Sequence, residues 1–253
     1  SHELLLPAED RSLFTFHVPE PRQWEAPEGT FRSRVAYAAA HVVADPLSSP
    51  DTCTLDWEAT MAYRRVLWKY GFRVAEAMDT AQRGMGLDWP VAQELIRRSV
   101  AEAKAVGGEI ASGAGTDQLS PSVRHDLPTV IRAYEEQCAF VEKCGGRIIL
   151  MASRALAACA RTTDDYLNVY GRILRQVSEP VILHWLGDMF DPALSGYWGS
   201  ADLDQATRTV LALIEDHADR IDGIKISLLD KTREAALRRR LPGTTIVSLA
   251  HRP

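Results

Sequence analysis

Lys225 is the residue whose type and position first suggest chemistry. It lies between apolar residues in Asp222–Ser227, a segment typical of a strand, whereas solvated lysines prefer helix surfaces and loops. The chain has only five lysines among its 29 basic residues, so a lysine at this position calls for a chemical reason. A partly dry site disfavours a charged amine, and a neutral amine attacks carbonyl carbons. Lys225 therefore either forms a Schiff base or pairs with a carboxylate on a neighbouring strand.

Other polar residues stand where apolar runs end. These residues are His41, Asp45, Asp79, Thr80, Gly115, Thr116, Ser153, Arg154 and His184. Function in a parallel α/β barrel is located at the carboxyl ends of the strands, so these positions are candidate site residues. His184 is a candidate acid or base because imidazole titrates near neutral pH; a core histidine bonded to a backbone carbonyl is the alternative. The candidates for substrate binding are Asp79, Thr80, Gly115, Thr116 and Ser153.

The elements that position these residues recur along the chain. From Arg34 onward, short apolar runs alternate with amphipathic stretches at a spacing of about 35 residues, close to one βα unit of a barrel. The runs are rich in Val, Ile, Leu and Ala, as expected for strands that are covered on both faces. Candidate strands are Val35–Val43, Phe72–Met78, Glu109–Ala114, Arg147–Ala152, Pro180–Trp185, Ile221–Ser227 and Thr244–Leu249. The predicted fold is an α/β fold, a (β/α)8 TIM barrel.

Helix signals separate these runs. One helix is predicted from Asp56 to Tyr70, ending at Gly71, and another from Pro90 to Val106. Thr162–Asp165 resembles a capping box at the start of a third amphipathic stretch. The sequence therefore predicts that strands alternate with helices.

Both ends of the chain depart from a simple barrel. Residues 1–30 contain a candidate strand, Leu13–Val18, and several prolines, so we expect an N-terminal extension packed on a barrel domain of residues 31–253. Seven barrel strands are found before Pro253, whereas a closed barrel of this type has eight. Either the extension or a partner chain supplies the eighth strand, or the barrel is incomplete at its C-terminus.

Composition limits the classes of function. With 253 residues, 46% of them hydrophobic, the chain is long enough for one domain with a large core. The net charge of -5 and the scattered arginines predict no nucleic-acid partner. The absence of a membrane-length apolar run and of a secretion signal predicts a soluble, cytoplasmic protein with no membrane contact. The four cysteines lack CxxC spacing, which favours reduced thiols over zinc sites or disulfides.

Three motifs carry a resemblance to a known family. Gly223–Lys225 is a Gly-Ile-Lys signature, Ile110–Thr116 is an apolar run followed by Gly-x-Gly-Thr, and Pro180–Leu183 begins a Pro-Val-apolar strand. In this order they resemble the sixth, third and fifth strands of the dihydrodipicolinate synthase and N-acetylneuraminate lyase superfamily of class I aldolases. The resemblance extends from about Val35 to Asp230 and is closest to a divergent bacterial branch.

The resemblance implies a Schiff-base-forming lyase that acts on a small keto acid or keto sugar. Lys225 would form the imine, and His184 stands in place of the family's proton-relaying tyrosine. The resemblance also implies no organic cofactor, no metal, and a homodimer or homotetramer. One departure concerns the substrate: Met78–Gln82 stands where the family has a Gly-Thr-Thr-Gly-Glu loop that holds a carboxylate. Thr80 keeps one hydroxyl, but Asp79 adds a negative charge, which suits a sugar hydroxyl better.

Two other functions remain open from the sequence. His41, Asp45 and His184 can form a two-histidine, one-carboxylate metal site in a metal-assisted lyase or isomerase, with Lys225 stabilising an oxyanion. A barrel that binds a metabolite without turning it over is also compatible with Asp79, because one fold serves many functions.

Overall fold

The computed structural model describes residues 2–20, 22–23, 25, 35–48, 54–242 and 246–249. Its strands fall into two sheets. A two-stranded antiparallel hairpin pairs β1 (His2–Pro7) with β2 (Leu13–Val18). A seven-stranded parallel sheet, ordered as in the chain, consists of β3 (Tyr37–Ala39), β4 (Arg73–Glu76), β5 (Ile110–Ala114), β6 (Arg147–Leu150), β7 (Val181–Leu186), β8 (Ile221–Ser227) and β9 (Ile246–Leu249).

The α-helices in the described residues lie between the strands of the parallel sheet. They are α1 (Trp57–Lys69), α2 (Trp89–Val106), α3 (Leu127–Cys144), α4 (Arg154–Cys159), α5 (Thr163–Leu174), α6 (Leu203–Asp216) and α7 (Lys231–Arg238). At the N-termini of these helices, short polar side chains accept hydrogen bonds from the backbone. Asp56 accepts one from Ala59 N, and Thr162 accepts one in a capping box. Gly107 ends α2 with a left-handed φ of 69°. The predicted helix punctuation is therefore confirmed at these ends.

Side chains alternate between the two faces of the parallel sheet, and the apolar ones form a separate cluster on each face. In β7, Val181, Leu183 and Trp185 belong to the larger cluster, which joins the sheet to the helices. Ile182 points the other way and packs with Ala75 and other side chains in a smaller cluster. Because successive side chains of a strand point to opposite faces, the smaller cluster marks the inner face of the sheet. Side chains at every second position from Ile182 along β7 therefore face inward.

The parallel sheet confirms the seven candidate strands in their predicted order. The strands are mostly shorter than predicted, because pairing ends before the apolar run does. The first is the shortest: after Ala39 the chain forms one more bond to its neighbour, from Ala40 N to Ala75 O, and then leaves the sheet. Thr244 and Thr245, at the start of the last candidate strand, lie outside the described residues.

The described residues bear on two expectations about the chain ends. The described residues do not show a closed eight-stranded barrel, since the parallel sheet has seven strands. In the described part of the N-terminal extension, β2 pairs with β1, a strand not predicted from the sequence, and neither strand joins the parallel sheet. Leu5 and Leu13 of this hairpin are 67% and 65% exposed. The proposed domain boundary at residue 30 lies outside the described residues.

The described part of the chain has no helix long and apolar enough to cross a membrane. Cys138, Cys144 and Cys159 carry free thiols, and burial raises the pKa of Cys138 to about 12. Cys53 lies outside the described residues.

Candidate active site

Strand register places Lys225 and His184 opposite each other on the inner face of the sheet. Ile224 and Ile226, the neighbours of Lys225, belong to the larger cluster, which lies between the sheet and the helices. Lys225 therefore points to the opposite, inner face. In the pairing of β7 with β8, His184 is the direct partner of Lys225. Both residues are buried, at 1% exposure for His184 and 8% for Lys225. The amine and the imidazole therefore share one buried surface near the carboxyl ends of two strands.

Asp79 reaches the same place from a third strand. It begins a short 3-10 helix, Asp79–Ala81, shortly after β4 ends. Its Oδ1 accepts a hydrogen bond from Lys225 Nζ at 3.5 Å. Burial raises the pKa of Asp79, but the charge of Lys225, with smaller contributions from His184 and the backbone N–H of Asp79, outweighs burial and lowers it below 3.8. Asp79 is therefore an ionised carboxylate beside the lysine at neutral pH.

His184 is held as a neutral imidazole. Burial lowers its pKa from 6.5 to about 3; the nearby Lys225 charge adds to this shift, and Asp79 opposes it. Nε2 lies 3.2 Å from Oγ of Ser227, while Nδ1 is buried and has no hydrogen-bond partner among the described residues. The low pKa disagrees with our expectation of a histidine that titrates near neutral pH. Burial instead keeps the ring neutral, with one contact from Nε2 to Ser227.

The other predicted binding residues make hydrogen bonds of their own to different partners. Thr116 Oγ1 lies 2.6 Å from Ser153 Oγ, and Ser153 also caps α4 through Leu156 N. Gly115 N donates to Gln137 Oε1 at 2.6 Å, and Thr80 Oγ1 contacts the carbonyl of Ala40 at 3.5 Å. The structure thus joins Thr116 to Ser153, and no hydrogen bond links this pair directly to Lys225.

The alternative metal site is not assembled. His41 is exposed and its carbonyl accepts a hydrogen bond from Arg64, whereas His184 is buried on the inner face. Asp45 bonds the backbone of its own turn, at Leu47 N. No group of three or more His, Cys, Asp or Glu side chains with metal-binding geometry occurs among the described residues. The prediction of a site built from His41, Asp45 and His184 is therefore wrong.

The sequence analysis missed the residues that hold the Asp79 turn. Arg64 and Glu76 form a fully buried bidentate ion pair, with Nε–Oε2 and Nη2–Oε1 distances of 2.5 and 2.7 Å. Glu76 Oε1 also accepts from Ala77 N at 2.7 Å, and Arg83 Nη1 donates to the Ala77 carbonyl at 3.2 Å. Ala77 has a left-handed φ of 50°, which an alanine seldom adopts. Glu76 and Arg83 together stabilise this turn, which aims Asp79 at Lys225.

Ser227 is a second residue that sequence reasoning missed. It ends β8 two residues after Lys225, so alternation alone puts it on the same inner face. Its proximity to His184 depends on the β7–β8 register, which no local motif reveals.

Fold and site together define an α/β protein with a parallel sheet and a buried lysine on the inner face of that sheet. The chain is similar in structure to YagE, a prophage protein of the dihydrodipicolinic acid synthase family from E. coli K12, in complex with pyruvate. The TM-score is 0.64 at 12% identity, covering 87% of this chain and 64% of that one, so our chain spans less than two thirds of YagE. The 2-keto 3-deoxygluconate aldolase from Picrophilus torridus gives a TM-score of 0.61 at 12% identity, covering 87% and 67% of the two chains. The predicted α/β fold is thereby confirmed, and these two solved structures share it.

The chain belongs to the family described as "protein of unknown function (DUF993)", whose model matches residues 4–248. No curated protein sequence matches the chain.

Proposed function

We propose that this protein is a Schiff-base-forming lyase of the class I aldolase type, which acts on a small keto acid or keto sugar through Lys225. One observation carries the proposal: the buried Lys225, on the inner face of a parallel sheet, has its Nζ 3.5 Å from a carboxylate oxygen of Asp79. The similar solved structures, one a complex with pyruvate and one a 2-keto 3-deoxygluconate aldolase, support this choice of chemistry.

Asp79 is the proton carrier in the proposed mechanism. It takes one proton from the Lys225 ammonium, and the freed lone pair of Nζ attacks the carbonyl carbon. Asp79 returns that proton to the carbonyl oxygen, which gives a carbinolamine. It then carries a second proton from Nζ to the same oxygen, which leaves as water. The nitrogen keeps one proton in the resulting protonated imine.

The imine then serves as an electron sink. In aldol cleavage the β-hydroxyl gives its proton to the Asp79 carboxylate, the Cα–Cβ bond breaks, and an aldehyde leaves while the electron pair becomes an enamine. Protonation of the enamine carbon and addition of water release the second product and restore Lys225. His184, which is neutral, hydrogen bonds the substrate rather than relaying protons. Thr80, Gly115, Thr116 and Ser153 stay proposed orienting groups at the strand ends.

A metabolite-binding protein without turnover is the second candidate, and the Lys225–Asp79 contact favours it. The sequence already allowed a lysine paired with a carboxylate, and a Nζ–Oδ1 distance of 3.5 Å fits that interpretation. In such a protein the pair would neutralise two buried charges and would exchange no proton with a ligand.

Borohydride trapping separates the two candidates. The protein is incubated with pyruvate, 2-keto-3-deoxygluconate or dihydroxyacetone, reduced with borohydride, and digested for mass mapping. A Schiff-base enzyme gives a reduced adduct on Lys225 that Lys225→Met abolishes and Lys231→Met, at an exposed lysine, retains. Ligand binding without an adduct for any carbonyl compound would refute the enzyme and support the binding protein.

We also propose that the chain assembles as a homodimer or homotetramer. The pairing of Leu4 with Phe16 across the hairpin leaves these apolar side chains 49% and 43% exposed. A lone two-stranded hairpin is marginally stable in water, and exposed apolar surface of this kind favours a partner. Sedimentation velocity tests this: we expect a dimer or tetramer that Leu4→Ser with Phe16→Ser dissociates. A wild-type monomer at micromolar concentration would contradict the proposal.

A further inference from the structure

We propose that Asp79 takes the place of a substrate carboxylate, so that the site selects an uncharged hydroxy ketone or ketose over an α-keto acid. This inference rests on the proposed Schiff-base function and narrows its substrate class. It starts from the position of one carboxylate, which belongs to the protein and contacts the amine that would form the imine.

The charges at the site balance without a substrate. Lys225 Nζ and Asp79 Oδ1 lie 3.5 Å apart, with side-chain exposures of 10% and 22%. An α-keto acid whose carbonyl reaches Nζ brings its own carboxylate to within a few ångströms of Asp79. Two like charges in a partly dry site repel each other strongly, because little water screens them. A hydroxy ketone adds no charge and avoids this repulsion.

Nearby cations in the described residues are already committed to other carboxylates. Arg83 donates to both carboxylate oxygens of Asp117, at 2.5 and 3.0 Å, and Arg64 is paired with Glu76. Arg154, at the carboxyl end of β6, bonds Asp191 at 2.5 Å. None of these arginines is free to offset a second negative charge beside Asp79.

The site offers partners for hydroxyl groups instead. An ionised Asp79 only accepts hydrogen bonds, and a substrate hydroxyl donates one. On the same inner face, His184 is 1% exposed, and its Nδ1 is buried with no hydrogen-bond partner within the described part of the chain. A hydroxyl both donates and accepts, so it satisfies Nδ1 in either tautomer of the neutral ring. Nδ1 of His184 and the carboxylate of Asp79 can thus both be satisfied by hydroxyl groups of the ligand.

The test compares two small probes that differ in charge. Dihydroxyacetone and pyruvate are each incubated at the same concentration with wild type, Asp79→Asn and Asp188→Asn, and the borohydride-reduced adduct on Lys225 is followed by intact mass. Asp188 is an exposed aspartate after β7 and serves as the matched control. We expect wild type and Asp188→Asn to trap dihydroxyacetone at least about tenfold faster than pyruvate. Asp79→Asn should lower that ratio by at least about tenfold.

Each outcome decides one question. An adduct that forms faster with pyruvate in wild type would overturn the substrate inference while leaving the Schiff-base function intact. So would a ratio that Asp79→Asn leaves unchanged in protein with a native circular dichroism spectrum. Absence of any Lys225 adduct with either probe or with 2-keto-3-deoxygluconate would refute the proposed function and the substrate inference with it. The wild-type ratio decides the matter even if Asp79→Asn does not fold.

Discussion

Lys225 and Asp79 are 146 positions apart in the chain, yet Nζ of the lysine lies 3.5 Å from Oδ1 of the aspartate. The lysine sits within β8 and the aspartate in the turn after β4, on strands that are not neighbours in the sheet. Their side chains meet because the carboxyl ends of parallel strands lie at one edge of the sheet, where long side chains can reach across its inner face. This contact links the proposed chemistry to stability.

Removing the lysine should cost both activity and stability. Lys225→Met is expected to abolish turnover and to lower the free energy of unfolding by about 1–3 kcal/mol, because Asp79 then keeps a partly buried charge without its partner. Urea denaturation and a turnover assay measure the two effects. Lys231→Met is the exposed-lysine control and should change neither. A double variant, Lys225→Met with Asp79→Asn, should recover part of the stability but no activity.

The neutral state of His184 predicts how stability depends on pH. Its pKa is about 3 in the folded protein and 6.5 is the ordinary value, so below pH 6.5 the unfolded chain binds one proton more than the folded chain. The free energy of unfolding therefore falls as pH decreases, at up to about 1.4 kcal/mol per pH unit from this residue. Urea denaturation at several pH values between 5 and 7 gives the free energy of unfolding at each pH. This free energy should change less steeply with pH in His184→Gln than in wild type.

The control for this prediction is His17→Gln, at an exposed histidine of the hairpin. It should leave the slope of the wild-type protein unchanged. Equal slopes for wild type and His184→Gln would show that His184 is not held neutral by burial.

The buried ion pair under the Asp79 turn should be sensitive to removal of one partner. Arg64→Met leaves Glu76 as an unpaired buried carboxylate, and we expect a loss of about 3–5 kcal/mol in the free energy of unfolding. The exposed pair of Arg172 and Glu135 supplies the contrast, because Arg172→Met should cost less than about 1 kcal/mol. Thermal and urea denaturation measure both. Similar losses for the two variants would contradict the assigned importance of burial.

Ser227 should act through His184. Ser227→Ala removes the hydroxyl that lies against Nε2, which frees the ring to reorient, and we expect kcat/KM to fall about tenfold. Ser227→Thr keeps a hydroxyl and should retain most of the activity. Ser120→Ala, in an exposed loop, is the control. Full activity in Ser227→Ala would remove Ser227 from the site.

The candidate site was only partly predictable. Lys225, His184 and Asp79 were found because each is a polar residue at or just beyond an apolar run, a signal that is local in sequence. Arg64 and Arg83 carried no such signal, since ion pairs are common on any α/β surface and only burial distinguishes this one. Glu76 does lie within the apolar run Phe72–Met78, but that run does not reveal its pairing with Arg64. The alternative metal site of His41, Asp45 and His184 is not assembled for a different reason. The position of a residue at a strand end does not determine which face of the sheet its side chain occupies.

The amino-acid sequence by itself determined the seven parallel strands, the helix ends and the inward lysine, because hydrophobic period, capping residues and alternation act over a few residues. Tertiary structure alone decided that β1 and β2 pair with each other rather than with strands of the parallel sheet. It also decided that Asp79 meets Lys225 and that His184 is neutral. Those properties depend on distances and solvent exclusion between segments far apart in the chain, and no local pattern encodes them.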